Sequence, residues 1–308
     1  MKVLITGGSG FLGSHITDSL LTRGDNVVVI DNYETGRRDN LTAHPNLKVV
    51  EGTIANADLL DSLFEGVDLV IHTAASYKNP ENWAEDAKSN ICGTINVVKS
   101  CLKYNVKRVI YFQTALCYGT KPLEQPITLN HPILPEGSSY SISKTAGEQY
   151  IHLSGLDYVT FRLANVYGPR NISGPLPVFY SRLTANKPCF VMDTRRDFVY
   201  VDDLVSVVIK AVDGAGSGTY HVSSGSDISI KEMFDATTLA LNMGTIDVEV
   251  RPRLEDDAPS ILLDPSKTNE TFDWAANTQL KEGVKKAVSY YHKFGIKETF
   301  THLHSVEE

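Results

Sequence analysis

The first thirteen residues constrain this chain more than any others. The apolar stretch Val3 to Thr6 runs straight into Gly7-Gly8-Ser9-Gly10-Phe11-Leu12-Gly13, and apolar residues then recur at helical spacing through Leu12 to Thr22. A strand, a glycine turn and a helix in that order make a turn too tight for side chains. Such a turn lets backbone approach an anion closely, and the free N–H groups and dipole of the helix start favour negative charge there. Glycines at 7, 10 and 13 would be unremarkable in an ordinary loop. Placed after a strand and at the head of a helix, they predict a cradle for a dinucleotide pyrophosphate.

The next apolar run ends at Asp31, 18 residues beyond Gly13. A carboxylate at the end of a second strand can accept both hydroxyls of an adenine ribose and repels a 2′-phosphate. The plain alternative is a turn residue, since Asp31-Asn32 is also turn-like. The basic pair Arg37-Arg38 lies near enough in sequence to serve a 2′-phosphate, but the carboxylate outweighs it, so the expected cofactor is NAD.

Short runs rich in Val and Ile alternate with amphipathic stretches. Val3 to Thr6, Val27 to Asp31, Lys48 to Glu51, Leu69 to Thr73, Val109 to Gln113 and Tyr158 to Leu163 read as buried strands. Leu12 to Thr22, Asn82 to Tyr104 and Ser138 to Leu153 read as helices. Strands buried on both faces with helices between them predict an α/β fold, a doubly wound parallel Rossmann-type sheet. After about Arg170, proline and glycine cluster and the alternation becomes irregular. The expected division is an NAD-binding domain over 1–168 and a smaller mixed substrate domain over 169–308. The segment 197–210 is expected to return to the first domain as a helix packed on the sheet. The polar tail after Phe300 is expected to fray.

Tyr140-Ser141-Ile142-Ser143-Lys144 sets a phenol and an ammonium at i and i+4, on one face of a helix. A neighbouring ammonium favours the phenolate, so the tyrosine is expected to titrate towards neutrality and act as general base and acid. On its own the spacing is common and belongs to any surface helix. Its weight comes from following five strands and the glycine turn. Thr114 ends the fifth strand, at the carboxyl edge where ligands sit in such sheets, and its hydroxyl can reach the same substrate oxygen. A strand-end threonine bonded to backbone is the plain alternative.

Composition narrows the partners. The net charge of -8 argues against nucleic acid or an anionic membrane surface, and no stretch nears the roughly 18 apolar residues of a membrane span. The apolar start is too short for a signal peptide. Cys92, Cys101, Cys117 and Cys189 form no CxxC pair and have no histidines at metal-ligand spacing, so free thiols in a cytoplasmic protein, and no metal, are expected.

These motifs together resemble the extended short-chain dehydrogenase/reductase family, and within it the nucleotide-sugar epimerases of the UDP-galactose 4-epimerase type. The marks are GGSGFLG from Gly7, DNYETGRRDNL from Asp31, IHTAA from Ile71 and the run beginning at Asn90. They continue with TALCYG from Thr114, YSISK from Tyr140, RLANVYGPR from Arg162, RDFVYVDD from Arg196 and DPSKTNETFDW from Asp264. The QTALCYG and DPSKT stretches look most like epimerase-like proteins of bacterial surface-polysaccharide clusters. The resemblance implies a catalytic set of Thr114, Tyr140 and Lys144. It implies cofactor contacts from Gly7, Gly10, Phe11, Leu12, Gly13, Asp31, Asn32, Ala74, Ala75 and Asn90, joined by Tyr140 and Lys144. Asn165, Arg196 and Arg253 match residues that hold the substrate's nucleotide or diphosphate, as Thr114 matches one that meets its sugar. Thr53 departs from the family, which commonly places there an aspartate that touches adenine.

Related dehydratases carry an Asp-Glu pair just after the Ser/Thr of the triad, and decarboxylases a Glu. Ala115 and Leu116 stand there in this chain and move no proton, so the resemblance implies 4-epimerisation of a nucleotide sugar, a UDP-sugar being favoured. A dehydratase or oxidoreductase with other acid/base groups is the alternative enzyme. A non-catalytic NAD-binding regulator would be expected to have lost Tyr140 or Lys144. Lys78 matches a position near a family residue that touches the nicotinamide ribose, and it could instead face a C6 carboxylate of the sugar. Ile261 matches a position that gates bulky groups at C2, so room for an N-acetyl group is expected. The Asn82–Tyr104 and Ser138–Leu153 helices match those that pair in homodimers.

Overall fold

The computed structural model describes residues 1–253, 258–296 and 298–299. The tail after Phe300 lies outside them. In the first half β1 (Lys2–Thr6), β2 (Asn26–Asp31), β3 (Leu47–Glu51), β4 (Leu69–His72), β5 (Arg108–Thr114) and β6 (Tyr158–Leu163) alternate with helices. These are α1 (Phe11–Thr22), α2 (Ala57–Asp61), α3 (Trp83–Asp86), α4 (Thr94–Lys103) and α5 (Ser139–Leu153). The second half adds β7 (Asn165–Tyr167), α6 (Pro175–Thr184), β8 (Phe190–Met192), β9 (Arg195–Tyr200), α7 (Val201–Val212), β10 (Gly218–Val222) and β11 (Asp227–Ser229). It ends with α8 (Ile230–Ala240), β12 (Glu249–Arg251), β13 (Ser260–Ile261), α9 (Ser266–Phe272) and α10 (Leu280–Phe294).

The main sheet has seven strands in the order β10-β6-β5-β4-β1-β2-β3, every pair parallel. This is the expected doubly wound α/β fold. Its strands are apolar at successive positions because both faces are covered. Val3, Ile5, Val29, Ile71, Ile110 and Phe161 point to one side, where α1 and α7 pack. Leu4, Val28, Ile30, Val70 and Val109 point to the other, against α2, α4 and the end of α5. Each such side chain, fully buried, contributes about 1.5–3 kcal/mol. β3 differs from expectation. As the edge strand it leaves Lys48, Val49 and Glu51 exposed, because only one neighbour and no full helix layer cover it.

The chain winds outward from β1 to β3, then crosses back to begin again at β4 beside β1. That reversal opens a crevice between the carboxyl ends of β1 and β4, the place where ligands bind in open α/β sheets. The smaller mixed sheet centres on β9, which pairs antiparallel with β11 and parallel with β13 and β7. A separate parallel pair joins β12 and β8. Helices α6, α8 and α10 form a further layer around Leu176, Phe234 and Tyr291.

Two expectations about the chain path are corrected. Asp197 to Tyr200 is strand, not helix; the stretch that returns to the main sheet begins at Val201 with α7 and includes β10, which lies beside β6. Apolar Leu204, Val207, Val208 and Ala211 drive that return by burying against α1 and the sheet. The single helix expected over Asn82 to Tyr104 is α3 and α4 joined by a π-helical stretch, Ala87–Gly93. Such wide turns occur often at functional sites.

The π-helical stretch lies close against α5 at Gly147. A Cβ there would come 2.8 Å from the Asn90 carbonyl oxygen, 2.9 Å from Tyr111 Oη and 3.2 Å from Thr94 Oγ1. Gly147→Ala is therefore expected to destabilise the protein by about 1–3 kcal/mol, the usual cost of overpacking a close-packed contact. Urea unfolding measures it, and an unchanged midpoint would show that the two helical segments separate freely.

Candidate active site

The carboxyl edge of the main sheet and the smaller sheet enclose a cleft of about 1350 Å³. At one end the chain turns at Gly7, whose φ of 70° suits glycine and whose N–H donates to the Ile30 carbonyl at 2.8 Å. A side chain on Gly13 would strike the Gly7 carbonyl oxygen, so glycine there lets α1 start directly against the turn. Gly10 is the N-cap of α1, and no side chain caps that helix or places an acid in its first turn. Phe11 and Leu12 therefore offer backbone N–H groups at the cleft. Ser9 Oγ, in the same turn, is buried without a protein partner.

Asp31 closes the turn from β2. Its Oδ2 accepts from Ser9 N–H and its Oδ1 from Tyr33 N–H, both at 2.8 Å. Burial raises the carboxyl above its ordinary range, with these N–H groups opposing. The carboxylate thus organises the loop as well as lining the cleft beside Asn32 and Thr53. Arg37 is taken up by Asp39, with Nε to Oδ1 at 2.8 Å. Arg38 bonds Glu51 at 2.6 Å and lies 4.1 Å over the Tyr33 ring. Neither arginine lines the cleft.

At the centre stand Thr114, Tyr140 and Lys144. Ser138 caps α5 by accepting from Ser141 N–H at 3.1 Å, which starts the helix where Tyr140 and Lys144 share its inner face. The Lys144 ammonium lies 3.9 Å over the Tyr111 ring. Burial pulls Lys144 down to about 7, against the opposing charge of Glu148. Burial pushes the Tyr140 phenol above its ordinary value, and Tyr77 and Asp86 add to this. The expected neutral-pH phenol is therefore not a property of the protein surroundings by themselves: desolvation moves both groups towards their uncharged forms. The Thr114 hydroxyl accepts from Leu116 N–H at 3.2 Å and also faces the cleft, so it fills its backbone role with a proton left to donate.

Ala74 and Ala75 line the wall after β4. Asn90 does not reach the cleft. Its side-chain Oδ1 accepts from Ser76 N–H at 2.8 Å, and its side-chain Nδ2 donates to the Ser76 carbonyl and to Ser143 Oγ, each at 2.9 Å. It ties the loop after β4 to α5 from behind the wall, a supporting place in contrast to the expected contact. His72 is also behind it, held between Thr6 Oγ1 at 2.7 Å and Thr94 Oγ1 at 2.9 Å and pulled down to about 3 by burial.

At the far end Asn165 and Arg196 line the cleft, and Ile261 pairs with Arg196 across the small sheet. Two expected residues do not line it. Lys78 is exposed and bonds Glu298 at 3.2 Å, because the loop after β4 turns outward beyond Tyr77. Arg253 lies exposed beyond the end of β12, whereas Arg251 is still on that strand and lines the cleft. Arg251 stacks 3.8 Å over the Phe190 ring and pairs with Glu249 at 2.9 and 3.0 Å. Arg182 and Lys187 complete a basic wall that the sequence reading missed. The two-residue spacing of Arg251 and Arg253 was the available clue, since strand positions two apart share a face. Among the described residues no cluster of His, Cys, Asp or Glu could hold a metal ion, and no helix is long and apolar enough to cross a membrane. The four cysteines are unpaired, and burial pushes the Cys101 and Cys117 thiols up to about 12.

Residues 3–223 match the model of the NAD dependent epimerase/dehydratase family. The chain is similar to a UDP-glucose 4-epimerase of Mycolicibacterium smegmatis, 31% identical over 94% of this chain and 98% of the relative. It is similar to the Bordetella bronchiseptica enzyme WbmH crystallised with NAD+, with a TM-score of 0.92, 54% identity, and coverage of 96% of this chain and 99% of that one. It is also similar to WbmG of the same organism, crystallised with NAD and UDP, at a TM-score of 0.90 and 42% identity, covering 98% of each chain.

The depressed Lys144 carries a stability consequence. Unfolded, its ammonium persists to about 10.5; folded, only to about 7. The unfolded chain therefore binds more protons between those values, so this group destabilises the fold fully below about pH 7 and progressively less as pH rises towards 10.5. Lys144→Met is expected to raise the melting temperature by several degrees at pH 7 and by little near pH 10. Differential scanning fluorimetry across that range checks it, and a gain that did not shrink with pH would contradict the burial argument.

Proposed function

We propose, from the premise that this chain belongs to the NAD dependent epimerase/dehydratase family, that it is a nucleotide-sugar 4-epimerase acting on a UDP-sugar. The bare glycine turn, the uncapped start of α1 and the Asp31 carboxylate suit NAD lying along the cleft towards Tyr140. Arg37 and Arg38, occupied by Asp39 and Glu51, favour NAD over its 2′-phosphorylated form. When bound, NAD supplies hydride acceptance and return at C4 of the sugar. Tyr140 takes the proton of the C4 hydroxyl and later gives it back, with Thr114 hydrogen-bonding the same oxygen. Lys144, as ammonium, stabilises the phenolate. A cationic nicotinamide would add the field that the buried surroundings lack. The flat 4-keto sugar turns over in the cleft, so that reduction on its other face inverts C4.

The observation that carries this reading is the wall beside Thr114. Ala115 and Leu116 line it and offer no group to eliminate water or assist loss of CO₂. Arg182, Arg196 and Arg251, with Asn165, suit the diphosphate and nucleotide, and the UDP bound to WbmG supports a uridine. Ile261 leaves room for an N-acetyl group at C2. With Lys78 outside the cleft, a uronic acid loses its support here. A homodimer through α5 is favoured by Ile142, Tyr150 and Leu153, exposed apolar residues along one face of that helix. The test is NMR of UDP-glucose, UDP-N-acetylglucosamine and their C6-oxidised forms with the purified protein. The expected product is the C4 epimer at equilibrium; a dehydrated or decarboxylated product would overturn the reading.

Tyr140→Phe is expected to lower kcat by about 10²–10⁴-fold while leaving NAD content and melting temperature close to wild type. Near wild-type turnover would remove the phenol from the mechanism. Arg251→Ala is expected to raise KM for the nucleotide sugar well above the effect of Arg253→Ala, because charge-assisted phosphate contacts stabilise ground and transition states alike. Steady-state kinetics of the two variants side by side decides which arginine serves the substrate.

A further inference from the structure

Behind the cleft wall runs a chain of buried polar groups that this reaction does not explain. Glu148 lies on α5 one turn beyond Lys144, as Lys144 lies one turn beyond Tyr140, and it is fully buried. Its Oε1 accepts from Arg162 Nη2 at 2.9 Å and Nε at 3.2 Å. Its Oε2 accepts from Gln113 Nε2 at 3.1 Å, and Gln113 Oε1 in turn accepts the Thr114 backbone N–H at 2.8 Å. Arg162 donates onward to Tyr118 Oη at 2.7 Å, which shares a hydrogen with His221 Nε2 at 2.6 Å. His221 Nδ1 meets the Asp264 carbonyl at 3.0 Å.

A buried ion pair is a weak source of stability, since well-packed apolar residues of similar volume often serve as well or better. A carboxylate here does what an apolar residue cannot. It grips β6 through Arg162 and β5 through Gln113, so the roll of α5 and the position of Thr114 are fixed by one group. We propose that Glu148 is a positioning residue for the Thr114–Tyr140–Lys144 centre, clamped by Arg162, holding Thr114 through Gln113 and setting a fixed negative charge one helical turn below Lys144. The proposal rests on the catalytic roles given above to those three residues.

The groups facing Lys144 come from three elements. Tyr140 and Glu148 are on α5, Tyr111 on β5 and neutral His72 on β4. Of these, Glu148 alone carries negative charge, and it opposes the burial that draws Lys144 down to about 7. Removing that charge pushes the ammonium towards losing its proton at lower pH.

The test compares wild type with Glu148→Gln and, should the orphaned Arg162 unfold that variant, with the double variant Glu148→Met, Arg162→Met. Two readouts are taken: the pH profile of kcat, and the NMR titration of Lys144 Cε, assigned by its loss in Lys144→Met. In folded Glu148→Gln the alkaline limb of the profile and the Lys144 titration are both expected to move down by about one pH unit, with about tenfold lower kcat on that limb, and in the double variant, which removes the Arg162 cation too, both move down by less. A purely structural role would lower the melting temperature and leave both where they were, and that result overturns the proposal. Should wild type turn over no nucleotide sugar, the Lys144 titration still decides the electrostatic hold of Glu148, and the failure belongs to the proposed reaction.

Discussion

Burying both faces of a parallel sheet leaves few places for polar chemistry. Every strand from β1 to β6 except the edge strand β3 is sealed by helices on each side, so carboxylates, phenols and ammonium groups can be concentrated only where strands end. All strands point the same way, and their carboxyl ends form one rim. At the crevice between β1 and β4 the glycine turn, Asp31, Ala74 and Thr114 meet along that rim although they are far apart in sequence. The second half of the chain completes the cleft from the other side. Its own β10 is stitched into the main sheet, which fixes how β9 and Arg196 face the rim.

The second constraint is desolvation. A tyrosine and a lysine buried side by side are each driven towards neutrality, and the fold bears that cost for Lys144 throughout the neutral range. Close packing behind the wall limits how the strain can relax. Gly147 lets α5 touch the Asn90 carbonyl, and Asn90 in turn pins the loop after β4. The reactive face of α5 is thereby held from its back rather than from the cleft. Asp31 and Thr114 do both tasks, since each fastens its own loop and borders the cleft.

What could be read from the sequence was whatever follows from local spacing. The glycine turn, the end of β2 at Asp31, Tyr140 and Lys144 on one helix face, and the alternation of elements all depend on neighbours within a few residues. Errors arose where distant packing decides. Lys78 is near the rim in sequence, but the loop swings out after Tyr77. Arg253 fits a motif, yet the strand ends at Arg251, and strand ends are set by pairing with β8. Lys48 to Glu51 looked like a buried strand because nothing local says that no further strand adds beyond it. β10 escaped notice although it is as long as β1, because Gly218-Thr219-Tyr220-His221 lacks the run of Val and Ile that marks the other strands. Its place beside β6 is a long-range pairing.

The wide turn between α3 and α4 has a consequence for how the chain can change length. A π-turn carries one residue more than an α-turn over the same rise, so the residues before and after it are out of helical phase with a continuous α-helix. Here that offset aims Asp86 and Asn90 at the loop after β4, where Ser76 Oγ donates to Asp86 at 2.9 Å, while Val97, Val98 and Cys101 face the core. Losing that extra residue would let Ala87–Gly93 wind as ordinary helix with both sets nearly in place, whereas ordinary winding with every residue kept would rotate one of these two sets by about a quarter turn or more. Either the loop behind the cleft would lose its anchor or the apolar stripe would turn from the core. The segment is thus held wide by what its two ends must face, and at Gly93, where a Cβ would come 2.6 Å from Ile54, it admits no larger residue.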